Sequence, residues 1–142
     1  MGDVATSTLE DSDELWLVID ARVESLPPVR DALRQWLVRR AAPGCIDDAV
    51  LVLDELVSNA ARHVGGDAAV GLKVDGEVVL IQVVDADPDF RSGRAERGVR
   101  RSGLRIVDSL ALRWGVAPVD PGSPLRSGKA VWAEMGLETS QQ

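Results

Sequence analysis

The stretch from Asp48 to His63 constrains the fold most, because apolar residues recur along it at intervals of three and four. That spacing predicts an amphipathic helix over 48–63 with a single apolar stripe. With its flanks, the stripe consists of Ile46, Ala49, Val50, Leu53, Leu56, Val57, Ala60 and Val64. We expect the rest of the chain to be organised around this helix.

The polar side of the same helix is the first candidate site. Glu55, Asn59 and His63 follow one another four residues apart. A carboxylate, a carboxamide and an imidazole are therefore predicted on one side of the helix, a turn apart. A solvated outer face accounts for the same pattern, since polar outer faces are the rule for amphipathic helices. Taken alone, the helix favours the solvated interpretation.

Length and composition predict one domain in a reducing compartment. The chain has 142 residues, about one average domain. We expect a flexible tail over 1–13, a domain over 14–138 and a short tail over 139–142. No apolar run approaches the roughly 18 residues of a membrane span, and the N-terminus lacks the pattern of a secretory signal. The single cysteine, Cys45, cannot form an internal disulfide, so a cytoplasmic location is expected.

Net charge and the counts of histidine and cysteine argue against two kinds of site, a general nucleic-acid surface and a zinc cage. A net charge of −7 argues against general nucleic-acid binding, which needs a surplus of basic residues. One histidine and one cysteine cannot form a zinc cage. The segment from Arg91 to Arg105 nevertheless contains six arginines and one glutamate. Such a run is usually a solvated loop, but it is also suited to an anionic ligand.

The remaining segments predict an α+β protein. The predicted order is strand 14–23, helix 29–40, helix 48–63, a hairpin over 68–84, a long loop over 85–102, helix 104–111, and a last hairpin from strands 114–119 and 130–137. This order is typical of a two-layer sandwich, a mostly antiparallel mixed sheet with helices packed on one face. The Asp75-Gly76 dipeptide is a favoured hairpin turn.

Asp85 and Gly103 border the long loop. Val78 to Val84 is almost entirely apolar, which predicts a central strand that delivers Asp85 at its end. Loops as long as 85–102 are more often binding loops than idle connections. Gly103 precedes an apolar helix and either binds phosphate through backbone N–H groups or serves only as the helix start. Neither a P-loop nor a G-x-G-x-x-G fingerprint is present.

In combination these segments resemble the GHKL (Bergerat-fold) ATPases. The motifs are Glu55-x-x-x-Asn59-x-x-x-His63, Asp85 after a central strand, Ser102 to Val107, and Gly128 to Trp132. They follow the order of the family's N box, first glycine box, second glycine box and last strand, over about residues 14 to 137. The short length, the RWGV sequence and the closing GKAVW are similar to the stand-alone anti-sigma-factor serine kinases.

The resemblance implies a site for ATP and Mg²⁺. Asn59 would be the magnesium ligand, and Glu55 would act as general base on a seryl hydroxyl or a water. Asp85 would accept a hydrogen bond from the adenine amino group. His63 would sit beside the site, in a packing or supporting role rather than a catalytic one. The residues implied at the phosphates are Arg100, Arg101, Gly103, Leu104 and Arg105.

The resemblance also implies partners. We expect a bacterial transcription regulator that binds Mg-ATP and a sigma factor, phosphorylates a serine on an anti-sigma-factor antagonist, or does both. We expect no direct contact with nucleic acid or membrane. Pairing through helices near the N-terminus would give a homodimer, with Trp36 as a candidate contact.

Two alternatives remain open from the sequence. In the first, the protein sequesters a regulatory partner without catalysis. Asp87 and Asp89 favour this alternative because they stand where the family has glycines, and Ala130 because it stands where a threonine normally helps to hold adenine. In the second, the chain is an α+β protein without nucleotide chemistry, since short motifs also occur by chance.

Overall fold

A computed structural model describes residues 5–6, 13–87, 104–126 and 128–137. The strands are β1 (Ala5–Thr6), β2 (Glu14–Asp20), β3 (Asp67–Asp75), β4 (Val78–Asp85), β5 (Arg113–Ala117) and β6 (Lys129–Gly136). The helices are α1 (Leu26–Leu37), α2 (Pro43–His63) and α3 (Arg105–Leu110), and a 3-10 turn at Val23–Ser25 precedes α1. None of the described helices has both the length and the apolar character needed to cross a membrane.

The strands form one sheet in the order β1-β2-β3-β4-β6-β5. The predicted α+β class and the central position of β4 are confirmed. The predicted mostly antiparallel sheet is confirmed, and every pairing among the described residues is antiparallel, so the expected mixed pairing is not found among them. β6 begins at the end of the sheet where β4 finishes, so it runs back along β4. β1 lies within the predicted flexible tail and pairs with β2.

The core lies between the sheet and the helices. α2 packs against α1, α3, β4 and β6. Because side chains alternate along a strand, every second residue of each central strand faces these helices. The helix-facing residues are Leu15, Leu17, Ile19, Ala68, Val70, Leu72, Val79, Ile81, Val83, Val131, Ala133 and Met135. The sheet and helices therefore form the two layers that the sequence predicts.

Two ion pairs join α1 to α2. Arg30 binds Asp54 in a bidentate pair at 2.8–3.1 Å, and Arg34 binds Asp47 at 3.2 Å. Trp36 of α1, the candidate contact of the expected homodimer, is only 5 % exposed in the single chain. Its hydrophobic ring packs in the core, and the Arg40 guanidinium lies 4.1 Å from the ring centroid.

The main helices begin earlier than the sequence predicts. α2 starts at Pro43 instead of Asp48, because proline suits a first helical turn and the next turn buries Cys45 and Ile46. α1 starts at Leu26 instead of Val29 for the same reason, since Leu26 is buried and the prolines follow it directly. Burial raises the pKa of the Cys45 thiol, which fits a packing role rather than a nucleophile.

The segment 118–126 covers part of the opposite face of the sheet. Val119 and Leu125 pack there on a small cluster formed by Trp16, Ala69, Val84 and Ala130. Asp120 fixes the segment by accepting hydrogen bonds from Lys73 at 2.9 Å and Gln82 at 3.3 Å. Trp16 pairs directly with Gly71 on the neighbouring strand. A Cβ at Gly71 would come within 2.5 Å of the Trp16 ring, so this position needs glycine.

We expect Gly71→Ala to destabilise the protein by about 1–3 kcal/mol, the range for overpacking in a core. The same substitution in a Trp16→Leu background should cost less than half as much, because the smaller side chain leaves room for the added methyl group. Urea unfolding of all four proteins measures the coupling. An equal cost in both backgrounds would contradict the packing described here.

Candidate functional site

α2 reaches the end of the sheet where β4 finishes. Only Val64, Gly65 and Gly66 separate α2 from β3, and both glycines adopt positive φ, 71° and 73°. In β3, Ala68 is directly opposite Asp85. A helix rises about 1.5 Å per residue, so Asn59 lies within a few turns of this end of the sheet.

The polar residues of α2 have three different environments. Asn59 is fully buried, Glu55 is half-buried and His63 is exposed. A step of four residues turns a helix by about 40° beyond a full circle, so the side chains fan out and do not align. The solvated interpretation therefore fails at Asn59, whereas His63 lies on the exposed side of the helix. A fully buried carboxamide beside Leu56 and Ala60 is the unusual feature of this helix.

Asp85 ends β4 on the helix-facing side, because it alternates with Val79, Ile81 and Val83. Its side chain is 1 % exposed. One carboxylate oxygen, Oδ1, accepts the backbone N–H of Asp87 at 3.0 Å. The other, Oδ2, accepts from Lys129 Nζ at 2.7 Å. The acceptor predicted for adenine is thus already bonded within the protein.

Lys129 is the residue that sequence reasoning missed. It is the first residue of β6, directly opposite Asp85, and its side chain is 1 % exposed. Its Nζ also contacts Asp87 Oδ2 at 3.2 Å. The alternation along β6 could have identified it, since Lys129 has the same parity as the helix-facing Val131 and Ala133.

Ala130 does not lie beside Asp85. It belongs to the cluster on the opposite face, where it is paired with Val84. The sequence argument that Ala130 replaces a residue of the site is therefore wrong. Asp87 also has a different role from the one expected, because its carboxylate contacts the Lys129 ammonium. Asp89 lies outside the described residues.

Gly128 allows the start of β6 to lie close to the end of β4. Its φ is 112°, and a Cβ there would lie 1.7 Å from the backbone oxygen of Asp85. No side chain fits at that distance, and the left-handed conformation also favours glycine. Gly128 therefore fixes the start of β6 against the end of β4. This close approach explains why a glycine precedes Lys129 in the GKAVW motif of this chain.

The other predicted site residues are only partly described. Leu104 is buried in the core, and Arg105 is exposed at the start of α3, which packs against α2. Arg100, Arg101 and Gly103 lie outside the described residues. Within the described ranges, no three carboxylate, imidazole or thiol side chains converge as a metal cage.

Comparison with known proteins adds no family to this geometry. No known family model matches the sequence, and no characterised protein matches it either.

Burial of Asp85 disfavours the charged form of its carboxyl group. Burial raises the pKa of the Asp85 carboxyl, and the Asp87 charge adds to the rise. The hydrogen bond and charge of Lys129 and the Asp87 N–H lower it, but the net direction is upward. The folded protein thus holds this proton more tightly than the unfolded chain does. Stability from this group falls as the pH rises from 3.8, the ordinary value, through the folded pKa.

We expect the free energy of unfolding of the wild type, relative to Asp85→Asn, to fall as the pH rises from 3.8 through the raised folded pKa of Asp85 and then to level off. Urea unfolding across this range measures it. Asp120→Asn is the control, and for it we expect the opposite pH dependence, with the wild type gaining stability over the variant as the pH rises. Burial acts to raise the pKa of Asp120, but hydrogen bonds from Gly122, Lys73 and Gln82 lower it overall. A wild type that gains stability over Asp85→Asn with rising pH would show that the ion pair, not burial, governs Asp85.

Proposed function

We propose that this protein is an ATP-binding regulator of the anti-sigma-factor serine kinase type, with a GHKL fold. The observation that carries the proposal is the meeting of α2 with the end of β4. The half-buried Glu55 and the buried Asn59 lie on the helix that packs against the strand ending in Asp85. Three residues that the resemblance assigns to one site thus come from two elements in direct contact.

The oxygen donors at this place fit Mg-ATP in kind. A carboxamide oxygen is a hard ligand suited to magnesium, and Asn59 offers one from a buried position on α2. Asp85 is a carboxylate acceptor at the end of a buried strand, the type of group that can read an exocyclic amino group. One condition applies. Lys129 must release Asp85 Oδ2 before another donor can bind there.

The roles of the residues follow from their exposure. When bound, Mg-ATP supplies an electrophilic phosphoryl group. Glu55, which is half-buried, can accept a proton from a seryl hydroxyl that approaches from solvent. Asn59 would hold the cation, and Asp85 would orient the base. The predicted contacts of Arg100, Arg101, Gly103, Leu104 and Arg105 with phosphates complete the proposal.

The partner in this proposal is a bacterial regulatory protein, a sigma factor or a serine-bearing antagonist of the anti-sigma factor. A homodimer is part of the same proposal. Its contact would have to be formed by side chains other than the buried Trp36. The proposed location is cytoplasmic, in keeping with a lone buried thiol at Cys45.

A second candidate function is partner sequestration without nucleotide. The observation that favours it is the closed Asp85–Lys129 pair, in which both side chains are 1 % exposed. If this pair never opens, the adenine position is permanently filled by the protein's own lysine. The fold would then present its surface to a partner with no contribution from ATP.

Calorimetric titration with Mg-ATP separates these functions. We expect the wild type to bind, and Asn59→Ala to bind at least about tenfold more weakly, which corresponds to 1.4 kcal/mol. Glu55→Gln should keep the wild-type affinity, because a general base acts in transfer and not in binding. Asp47→Asn, on the exposed side of the same helix, is the matched control and should change nothing.

Thermal unfolding provides the folding control for this titration. Every variant should melt cooperatively, and Mg-ATP should raise the melting temperature of the wild type, since a ligand of the native state stabilises it. The absence of both heat and thermal stabilisation at millimolar Mg-ATP would refute the ATP-binding proposal. It would leave partner sequestration as the better account.

A further inference from the structure

Lys129 occupies the position that a base amino group would need. Its Nζ donates to Asp85 Oδ2 at 2.7 Å, and both side chains are 1 % exposed. A lysine ammonium and the neutral adenine amino group both donate N–H, so one carboxylate oxygen can accept either, although only the ammonium also neutralises its charge. Lys129 is therefore an internal substitute for the amino group of the base.

Asp87 provides a second carboxylate partner for Lys129. Its Oδ2 is 3.2 Å from Lys129 Nζ, and its side chain is 13 % exposed, closer to solvent than Asp85. A buried ammonium that lost every carboxylate would be strongly unfavourable. With Asp87 adjacent, the ammonium can leave Asp85 and remain paired. Asp85 would keep the Asp87 N–H on its other oxygen throughout.

The backbone restricts this change to the lysine side chain. Gly128 lies against the Asp85 backbone with no space for even a Cβ, so the start of β6 cannot shift toward β4. The lysine stem, in contrast, is a flexible chain with four methylene groups. A change of side-chain rotamer is therefore the smallest motion that separates Lys129 Nζ from Asp85 Oδ2.

We propose that Lys129 gates the adenine position, holding Asp85 in the closed state and transferring to Asp87 when a base binds. This inference rests on the ATP-binding function proposed above. In such a system the apparent affinity is reduced by the fraction of molecules in the closed state. Removal of the gate thus strengthens binding, whereas removal of a purely structural residue would weaken it.

The experiment measures the affinities of Mg-ADP and of adenosine by calorimetry and NMR titration. Lys129→Met should bind both ligands at least about tenfold more tightly than the wild type. Lys73→Met is the matched control, because it breaks a partly buried lysine–aspartate pair at 2.9 Å on the opposite face of the sheet. It should leave both affinities unchanged.

Asp87→Asn tests the receiving partner and should act in the opposite direction. Asp87 contacts Lys129 at the longer distance when the site is closed, but it would be the main carboxylate partner when the site is open. The variant should therefore weaken adenosine binding at least about threefold, since the open state loses more than the closed state. Adenosine has no phosphates, so relief of repulsion between Asp87 and phosphate does not affect this measurement.

The possible results distinguish a failure of the Lys129 gate from a failure of the ATP-binding proposal. A wild type that binds Mg-ADP, together with a folded Lys129→Met protein that binds no tighter, overturns the gate and leaves ATP binding intact. No binding by either protein overturns the ATP-binding proposal and the gate with it. If Lys129→Met fails to fold, Asp87→Asn decides, and unchanged or tighter adenosine binding in that variant overturns the gate.

Discussion

The buried contact between Lys129 and Asp85 connects the sheet to the proposed chemistry. It joins the first residue of β6 to the last residue of β4 at 2.7 Å, with both side chains 1 % exposed. A buried ion pair is seldom a net source of stability, because desolvation offsets most of the attraction. Here the close backbone approach at Gly128 holds the two strand ends together, and Asp87 gives the ammonium a second carboxylate partner. The same features that hold the pair also determine what can reach Asp85.

One face of the sheet has structural contacts, and the other carries the residues of the proposed site. The segment 118–126 covers one face, where Asp120 and Trp16 hold it without any group of the proposed site. α2 covers the other face and brings Asn59 to the end of the sheet where Asp85 and Lys129 lie. A fully buried carboxamide and a buried ion triad thus lie on the same side of the sheet. Packing alone does not need either group, since apolar residues would fill the same core at a lower desolvation cost.

Much of the fold could be predicted from local patterns, whereas the key contact of the site could not. The Asp75-Gly76 signal placed the hairpin correctly, and the apolar run Val78 to Val84 placed β4 in the centre of the sheet, because these signals act between near neighbours. Burial of Asn59 depends on how α2 is rotated against its neighbours. Lys129 was missed, and Ala130 misassigned, because a one-residue difference in strand parity moves a side chain to the other face.

The central claim is that Lys129 holds Asp85 in the free protein and releases it to a nucleotide. The most direct measurement is ¹⁵N NMR of lysine ammonium groups, with Lys129→Met to assign the signal. We expect one slowly exchanging ammonium in the free protein, as burial slows exchange with water. Saturating Mg-ADP should shift this signal and accelerate its exchange. A Lys129 signal that stays unchanged while Mg-ADP binds, or that exchanges rapidly in the free protein, would contradict the account.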